Sequence, residues 1–524
     1  MPRGGPVGPA DVGNRAEGGS ASRNGFDSPP REDSDQISPD PLDDTRCRAA
    51  IGAPGSRAIA WPPPSTPPGS HPVSSAVATP RIRKEAEPTG VTPDSEYPHG
   101  NPPPGEGGPL TFRTRRGYTI MDLRNWAAIL GASAITLASA GASEPGSAGL
   151  ISWKKTTIEG RFRSEGVATA DVNKDGKLDV LIGDSWYEAP NWTKHDIREP
   201  GDYGDGLHSY SKCMTCWADD VNKDGWPDQL VIGFPGTAAA WYENPRGKDG
   251  HWARHEISPS ACNETPLYTD LFGDGRRVLV MGSQPKGEPK KGQMAWFTPG
   301  ADPTQPWEMH AVSEGENVPG TQQFSHGLGV GDLNGDGRKD VICTGGWWEQ
   351  PVSGKDAKPW TFHPARLGDA VADMVAYDVS GDGKADVIAS SAHKLGIWWF
   401  EQGAIKEGSP TFTKHDMFPD LVSETHALIA ADIDGDGLKD FVTGKRFWSH
   451  GRSEPGADKP ARLYWFRASK GTDGAITFEP REIDDQSGIG TQFEVLDFNG
   501  DGLLDIVTAN KKGVFLFEQV RAKE

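Results

Sequence analysis

From about residue 150 onward the chain alternates short apolar stretches with polar turns, keeps close to a two-residue period and carries no sustained helical spacing. One unit displays the plan. His326 to Asp332 reads as a first strand, Asp332 to Asp340 as an acidic loop, 341–344 as a second strand, 346–350 as the start of a third, and 360–363 as part of a fourth. Its β-branched and aromatic content suits pleated, half-buried strands. The third strand recurs as an aromatic run at Trp186, Trp241, Trp296, Trp398, Tyr464 and Phe515. The fourth recurs as an aromatic followed three residues later by histidine, at Trp192/His195, Trp252/His255, Trp307/His310, Trp360/His363 and Phe412/His415, with a histidine-free copy at Phe478.

Seven acidic loops punctuate this pattern, beginning at Asp171, Asp220, Asp270, Asp332, Asp378, Asp432 and Asp497. They lie about 46 to 65 residues apart, a period that belongs to solenoids, arrays and propellers. Each unit of about 53 residues has room for a four-stranded blade. Six of the fourth strands follow a loop. The seventh copy, Trp153 to Ile158, precedes the first loop, and the last unit stops after its third strand near Gln519. The reading is therefore an all-β fold: a seven-bladed β-propeller over 150–524, closed by an N-terminal strand (151–160) that docks on 500–520 and completes the last blade.

The loops carry oxygen donors at positions one, three, five and nine and a glycine at six. Hard Ca2+ takes six to eight oxygens in flexible geometry, which this set supplies together with a backbone carbonyl at seven. The donors are Asp171, Asn173, Asp175 and Asp179; Asp220, Asn222, Asp224 and Asp228; Asp332, Asn334, Asp336 and Asp340; Asp432, Asp434, Asp436 and Asp440; and Asp497, Asn499, Asp501 and Asp505. The fifth loop has Asp378, Ser380, Asp382 and Asp386, with serine as the weaker third donor. The third loop has Phe272 and Val278 at two donor positions and is read as metal-free. The competing explanation is that these side chains only fold back on the backbone as Asx turns.

On these loops the chain resembles the FG-GAP/VCBS-repeat propellers, the family that includes the integrin α-subunit head and many secreted bacterial proteins. The resemblance covers roughly 150–524. It implies seven blades with metal loops between first and second strands, and it leaves activity open, because the fold hosts adhesion modules and enzymes alike.

Six residues before each loop's first aspartate stand Glu165, Met214, Glu264, His326, Ala372, His426 and Thr491. At this register the innermost strands begin, at the end of the channel away from the calcium loops. Two glutamates and two histidines from different blades converge there. His208, His393, Lys445 and Arg446, with Lys511 and Lys512, are added from inter-strand segments, and His450 is the remaining unassigned histidine outside the repeats. Two histidines and two glutamates suit Zn2+ or Mn2+. They equally suit general acid–base work beside a carbonyl or uronate, with Lys or Arg stabilising the enolate. Propeller polysaccharide lyases have such mouths, and the chain distantly resembles the propeller domain of the fungal aldos-2-ulose dehydratase, without its cupin portion. The expected function is carbohydrate binding with lyase- or dehydratase-type proton abstraction. Two alternatives stand beside it: a non-catalytic adhesion or protein-interaction module, binding through aromatics such as Trp347 and Trp348, and a merely hydrated channel.

The net charge of -20 argues against nucleic acid as a partner. Cys213 and Cys216 form a lone C-x-x-C, with Cys262 and Cys343 isolated, which points to a disulfide or buried thiols before a metal. Residues 1–120 are rich in Pro, Gly, Ser and Arg and read as a disordered leader, with Met121 as the expected translational start. Residues 121–142 have the charged start, apolar run and small-residue cleavage site of a signal peptide, too short to span a bilayer. A twin-arginine signal at Thr114 to Tyr118 is the rival export reading, and a disordered tail with one buried apolar segment is the other. Export predicts a secreted or periplasmic protein with no membrane span in the mature chain.

Overall fold

The computed structural model describes residues 151–522 apart from 286, 289, 356–358 and 407–408. The expected leader and signal segment therefore lie outside the described residues. The described chain forms seven four-stranded antiparallel sheets. Blade 4 illustrates the register: Gly329 faces Ile342, Val341 faces Trp348, and Trp347 faces His363. Within each of the first six blades the strands follow chain order, so each strand pairs with the next one in sequence. Among the described residues no helix is long and apolar enough to cross a membrane.

The seventh blade is composite. Ile151–Glu159 pairs antiparallel with Gly513–Arg521, matching Trp153 with Gln519 and Thr156 with Leu516, and a bulge falls between Thr157 and Glu159. The innermost strands of blades 1 and 7, Ala168–Ala170 and Phe493–Leu496, touch, so the ring is shut. The core lies between blades, not within one. Trp241, Leu279 and Phe297 join blades 2 and 3, while Trp347, Val371 and Phe400 join blades 4 and 5. This is why the alternating pattern buries both faces of the middle strands.

Each acidic loop is a tight backbone turn. In the first, Asp171 accepts hydrogen bonds from the amides of Asp175 (2.9 Å) and Gly176 (2.9 Å). Position six takes a positive φ, 87° at Gly176, and so does position four, filled by Lys174 and Lys223 in two loops and by glycine in the others. The ninth residue has a second task. Asp179 is fully buried and accepts from Val172 N (3.0 Å) and Ala189 N (2.9 Å), tying the loop to the end of the third strand. Asp228, Asp340, Asp386, Asp440 and Asp505 repeat this staple. Val278 replaces it in blade 3, where Phe272 packs edge-on against Trp296.

The histidines of the fourth strands pack within the sheets. His195, His255, His310, His363 and His415 each lie against the tryptophan opposite, with centroids 3.7 to 4.5 Å apart. In blade 6 Arg481 takes the same place over Trp465, and in the closing blade Lys155 sits over Phe517.

Candidate functional site

The predicted first strand of blade 4 begins late, at Gly329, because residues 326–328 bend inward instead of pairing. Gly327 has a φ of 74° and packs against Val371 and Thr344. From this turn His326 reaches Glu264. The approach to each site histidine is also unusual. Phe324, Glu424 and Trp448 hold φ of 66°, 56° and 50°, and each stands two residues before His326, His426 or His450. Bulky side chains rarely occupy this region, and such backbone is held only where surroundings over-determine it.

Four residues at the expected register do meet. His326 Nε2 and His426 Nε2 lie 3.7 and 3.5 Å from the same oxygen, Glu264 Oε2. Arg446 donates to that oxygen through Nη1 (3.2 Å) and to Glu165 through Nε (3.0 Å). Glu165, His426 and Arg446 have no solvent exposure at all, so the residues predicted to ring an open mouth form its buried floor. Met214, Ala372 and Thr491 complete that layer, with Thr491 N donating to Glu165 O (2.8 Å).

The two imidazoles are neutral ligand-type groups. His426 Nδ1 is 3.1 Å from Glu424 O, which places the proton on that nitrogen and leaves Nε2 with a free lone pair. Burial drives the His426 pKa well below its ordinary value and that of His326 down to about 4. Both Nε2 atoms are buried without a hydrogen-bond partner. Burial works against the Glu264 carboxylate, and the charge around it, that of the Arg446 guanidinium above all, holds its pKa below the usual range. Tetrahedral Zn2+ with bonds near 2.0–2.1 Å sets its ligand atoms roughly 3.4 Å apart. The separations here suit that spacing and exceed a hydrogen bond. The donor set therefore fits a divalent transition ion.

Above this floor lies a second group. His393 Nδ1 (2.6 Å) and His450 Nδ1 (3.1 Å) both reach Glu454 Oε1. The two rings stack at 4.4 Å, and His393 meets His326 edge-on at 4.5 Å. Lys445 pairs with Glu424 and donates to Gly456 O (2.8 Å), which makes it a support of the His426 loop. Lys511 Nζ donates to Trp448 O (2.9 Å) and sits 4.2 Å above the Tyr210 ring. Burial pushes its pKa down to about 8 against the pull of Glu165.

Two expectations need correction. His208 is exposed and makes none of the contacts of the cluster. Trp347 and Trp348, proposed as exposed binding aromatics, are 1% and 2% exposed because they are inter-blade core. The accessible aromatics lie elsewhere, on connectors outside the repeat. Tyr210, Phe234 and Phe324 form a half-buried row with centroids 5.4 and 5.3 Å apart. Phe447 stacks on Trp448 at 4.2 Å. Their signal in the sequence is faint: Tyr210 and Phe324 stand shortly before the aligned positions Met214 and His326, while Phe234, Phe447 and Trp448 share no such register.

A separate cavity of about 590 Å3 follows the axis, lined by the innermost strands of all seven blades. It holds none of the cluster's histidines. Burial raises the carboxyl groups of Asp373 and Glu494 on its wall to about 8 and about 7.

Among the acidic loops, the sixth brings Asp432, Asp434 and Asp440 together with oxygens within 4.8 Å of one another. Arg467 pairs with Asp434 (2.5 Å) and Asp436 (3.3 Å) there. The described cysteines are free, buried thiols.

Residues 378–443, the fifth loop through the second strand of blade 6, match the FG-GAP-like repeat model. No curated protein matches the chain. Similar solved structures include the V. cholerae biofilm matrix protein Bap1, at 10% identity and a TM-score of 0.32, covering 70% of this chain and 88% of that one. The exotype rhamnogalacturonan lyase YesX (12% identity, TM-score 0.35) and the rhamnogalacturonan lyase YesW (12%, 0.32) each cover 70% of this chain and 72% of theirs. The chain is thus a closed seven-bladed β-propeller carrying an FG-GAP-like repeat.

Proposed function

We propose that the protein is an exported, calcium-stabilised propeller whose mouth binds an oxidised or uronate-type carbohydrate at a transition-metal centre and removes a proton beside its carbonyl. The observation that carries this reading is the pair of buried, unpartnered Nε2 atoms aimed at one Glu264 oxygen. Glu264, His326 and His426 would hold the ion, Zn2+ or Mn2+ by donor type. Such an ion, when bound, lends Lewis acidity to a carbonyl or carboxylate oxygen. Arg446 holds Glu264 and Glu165 in place. Lys511, with a pKa of about 8, is the group best matched to accept a proton near neutral pH. Tyr210, Phe234 and Phe324 offer ring faces against which a sugar stacks. The ions of the acidic loops are structural in this reading. Export rests on the segment at 121–142.

The test incubates purified protein with oxidised sugars and uronate polysaccharides and follows the absorbance of an unsaturated product. His426→Ala and Lys511→Met should each abolish at least 99% of turnover while the melting curve remains cooperative. Saturable carbohydrate binding with no product in the wild type would instead establish a non-catalytic binding module.

A further inference from the structure

The floor triad has a neighbour of similar composition. His393, His450 and Glu454 present ligand atoms within 4.8 Å of one another, as do Glu264, His326 and His426. The two groups are a ring's width apart, since His326 and His393 centroids are separated by 4.5 Å and those of His426 and His450 by 5.9 Å.

The upper triad is drawn in to hydrogen-bond separations of 2.6 and 3.1 Å, closer than ligand atoms on a tetrahedral ion, so an ion would displace these contacts; they nevertheless leave one feature unexplained. Both Nδ1 atoms converge on one oxygen, Glu454 Oε1, while Glu454 Oε2 is buried with no partner. A carboxylate meant only to anchor two imidazoles would do better with one on each oxygen. The near-parallel stacking, 13° between ring planes, turns both Nδ1 atoms to the same side. Ser449 bridges the groups, its Oγ donating to Glu424 Oε1 (2.9 Å) and lying 3.1 Å from His450 Nδ1. Glu424 in turn supplies the carbonyl that sets the His426 tautomer. The supports of the two triads are thus shared.

We propose that His393, His450 and Glu454 form a second transition-metal site, so that the mouth takes two ions of different accessibility. This deepens the metal reading above and rests on it for the first ion. The floor triad is buried. The side chains of the upper triad are 31%, 26% and 16% exposed for His393, His450 and Glu454. The lower ion exchanges slowly and the upper one quickly. The upper ion faces arriving ligand, which then binds oxygen-first across both.

The test is metal content and release, without any substrate. Protein stripped with chelator is reloaded with Co2+ in excess Ca2+, which keeps the acidic loops filled. Bound cobalt is counted by elemental analysis and its loss to a chelator is followed by absorbance. The wild type should hold two equivalents and release them in two phases differing at least tenfold in rate. Glu454→Gln should lose the fast phase and one equivalent, and His426→Ala the slow phase and one equivalent. One equivalent in the wild type, unchanged by Glu454→Gln, would overturn the second site and leave the first standing. One equivalent removed by Glu454→Gln but kept in His426→Ala would do the reverse. No bound cobalt in a cooperatively melting wild type would sink both.

Discussion

Arg446 shows how much of the site hangs on one side chain. It is fully buried between two carboxylates, Glu165 and Glu264, and burial's cost to its charge is outweighed by theirs, so its pKa lies above the ordinary value. Removing one member of such a group leaves uncompensated buried charge, at a cost of about 3–5 kcal/mol. Arg446→Met should therefore lower the denaturation midpoint far more than removal of a surface pair such as Lys154 and Glu518, whose worth is at most about 1 kcal/mol. Lys511 gives a pH signature. Its folded pKa, about 8, lies below the unfolded value of about 10.4. Between those values the unfolded chain binds more protons than the folded one, so stability attributable to this group rises with pH. Urea titrations should show Lys511→Met exceeding wild type most below pH 8, with the gap narrowing towards pH 10. A constant gap would mean that Lys511 titrates normally. The convergence of Glu165, Glu264, His326 and His426 was legible because all four share one register relative to a repeating loop. Tyr210, Phe324 and Glu454 were not, since they sit on connectors of unequal length where no repeat sets their position. The positive φ of Phe324, Glu424 and Trp448, two residues before the site histidines, has no glycine to announce it.

At the level of the element, the acidic loop joins two functions that the motif alone does not separate. Its first, third and fifth residues shape the turn and offer oxygens outward. The ninth is a buried staple between loop and third strand, and burial raises its carboxyl to about 7 in Asp228 and Asp340. Asp228→Ala removes two buried backbone hydrogen bonds, which predicts a loss of about 2 kcal/mol even in chelator. Asn222→Ala should matter mainly when calcium is present. Each filled loop at a hundredfold excess over its Kd adds about 2.7 kcal/mol. Scanning calorimetry should therefore show a higher melting temperature in calcium than in chelator, and identical curves would leave the loops as plain Asx turns. The blades themselves were readable because strand alternation, aromatic pairs and acidic turns are local signals. Trp347 and Trp348 misled for the same reason: an aromatic pair reads alike whether it meets a ligand or the next blade.

For the whole molecule, the closing seam decides whether seven sheets behave as one body. Lys154 and Glu518 are direct partners in it, 364 residues apart in sequence. Cysteines at this pair should oxidise readily, since opposed strand residues lie at disulfide spacing. A crosslink spanning so long a loop has an upper bound of about 5 kcal/mol of stabilisation. Lys154→Cys/Glu518→Cys should melt at a markedly higher temperature when oxidised than when reduced. Equal values would mean the seam is not where unfolding starts. Closure was foreseeable by counting fourth strands.

That seam also sets a timetable for synthesis. The strand at 151–159 leaves the ribosome long before 513–521 exists. Until the final segment appears, the nascent chain carries an open crescent with two unpaired strand edges. A product cut short by even ten residues would keep them, inviting neighbours and proteases. Arrival of the closing strand is thereby recorded in the fold itself.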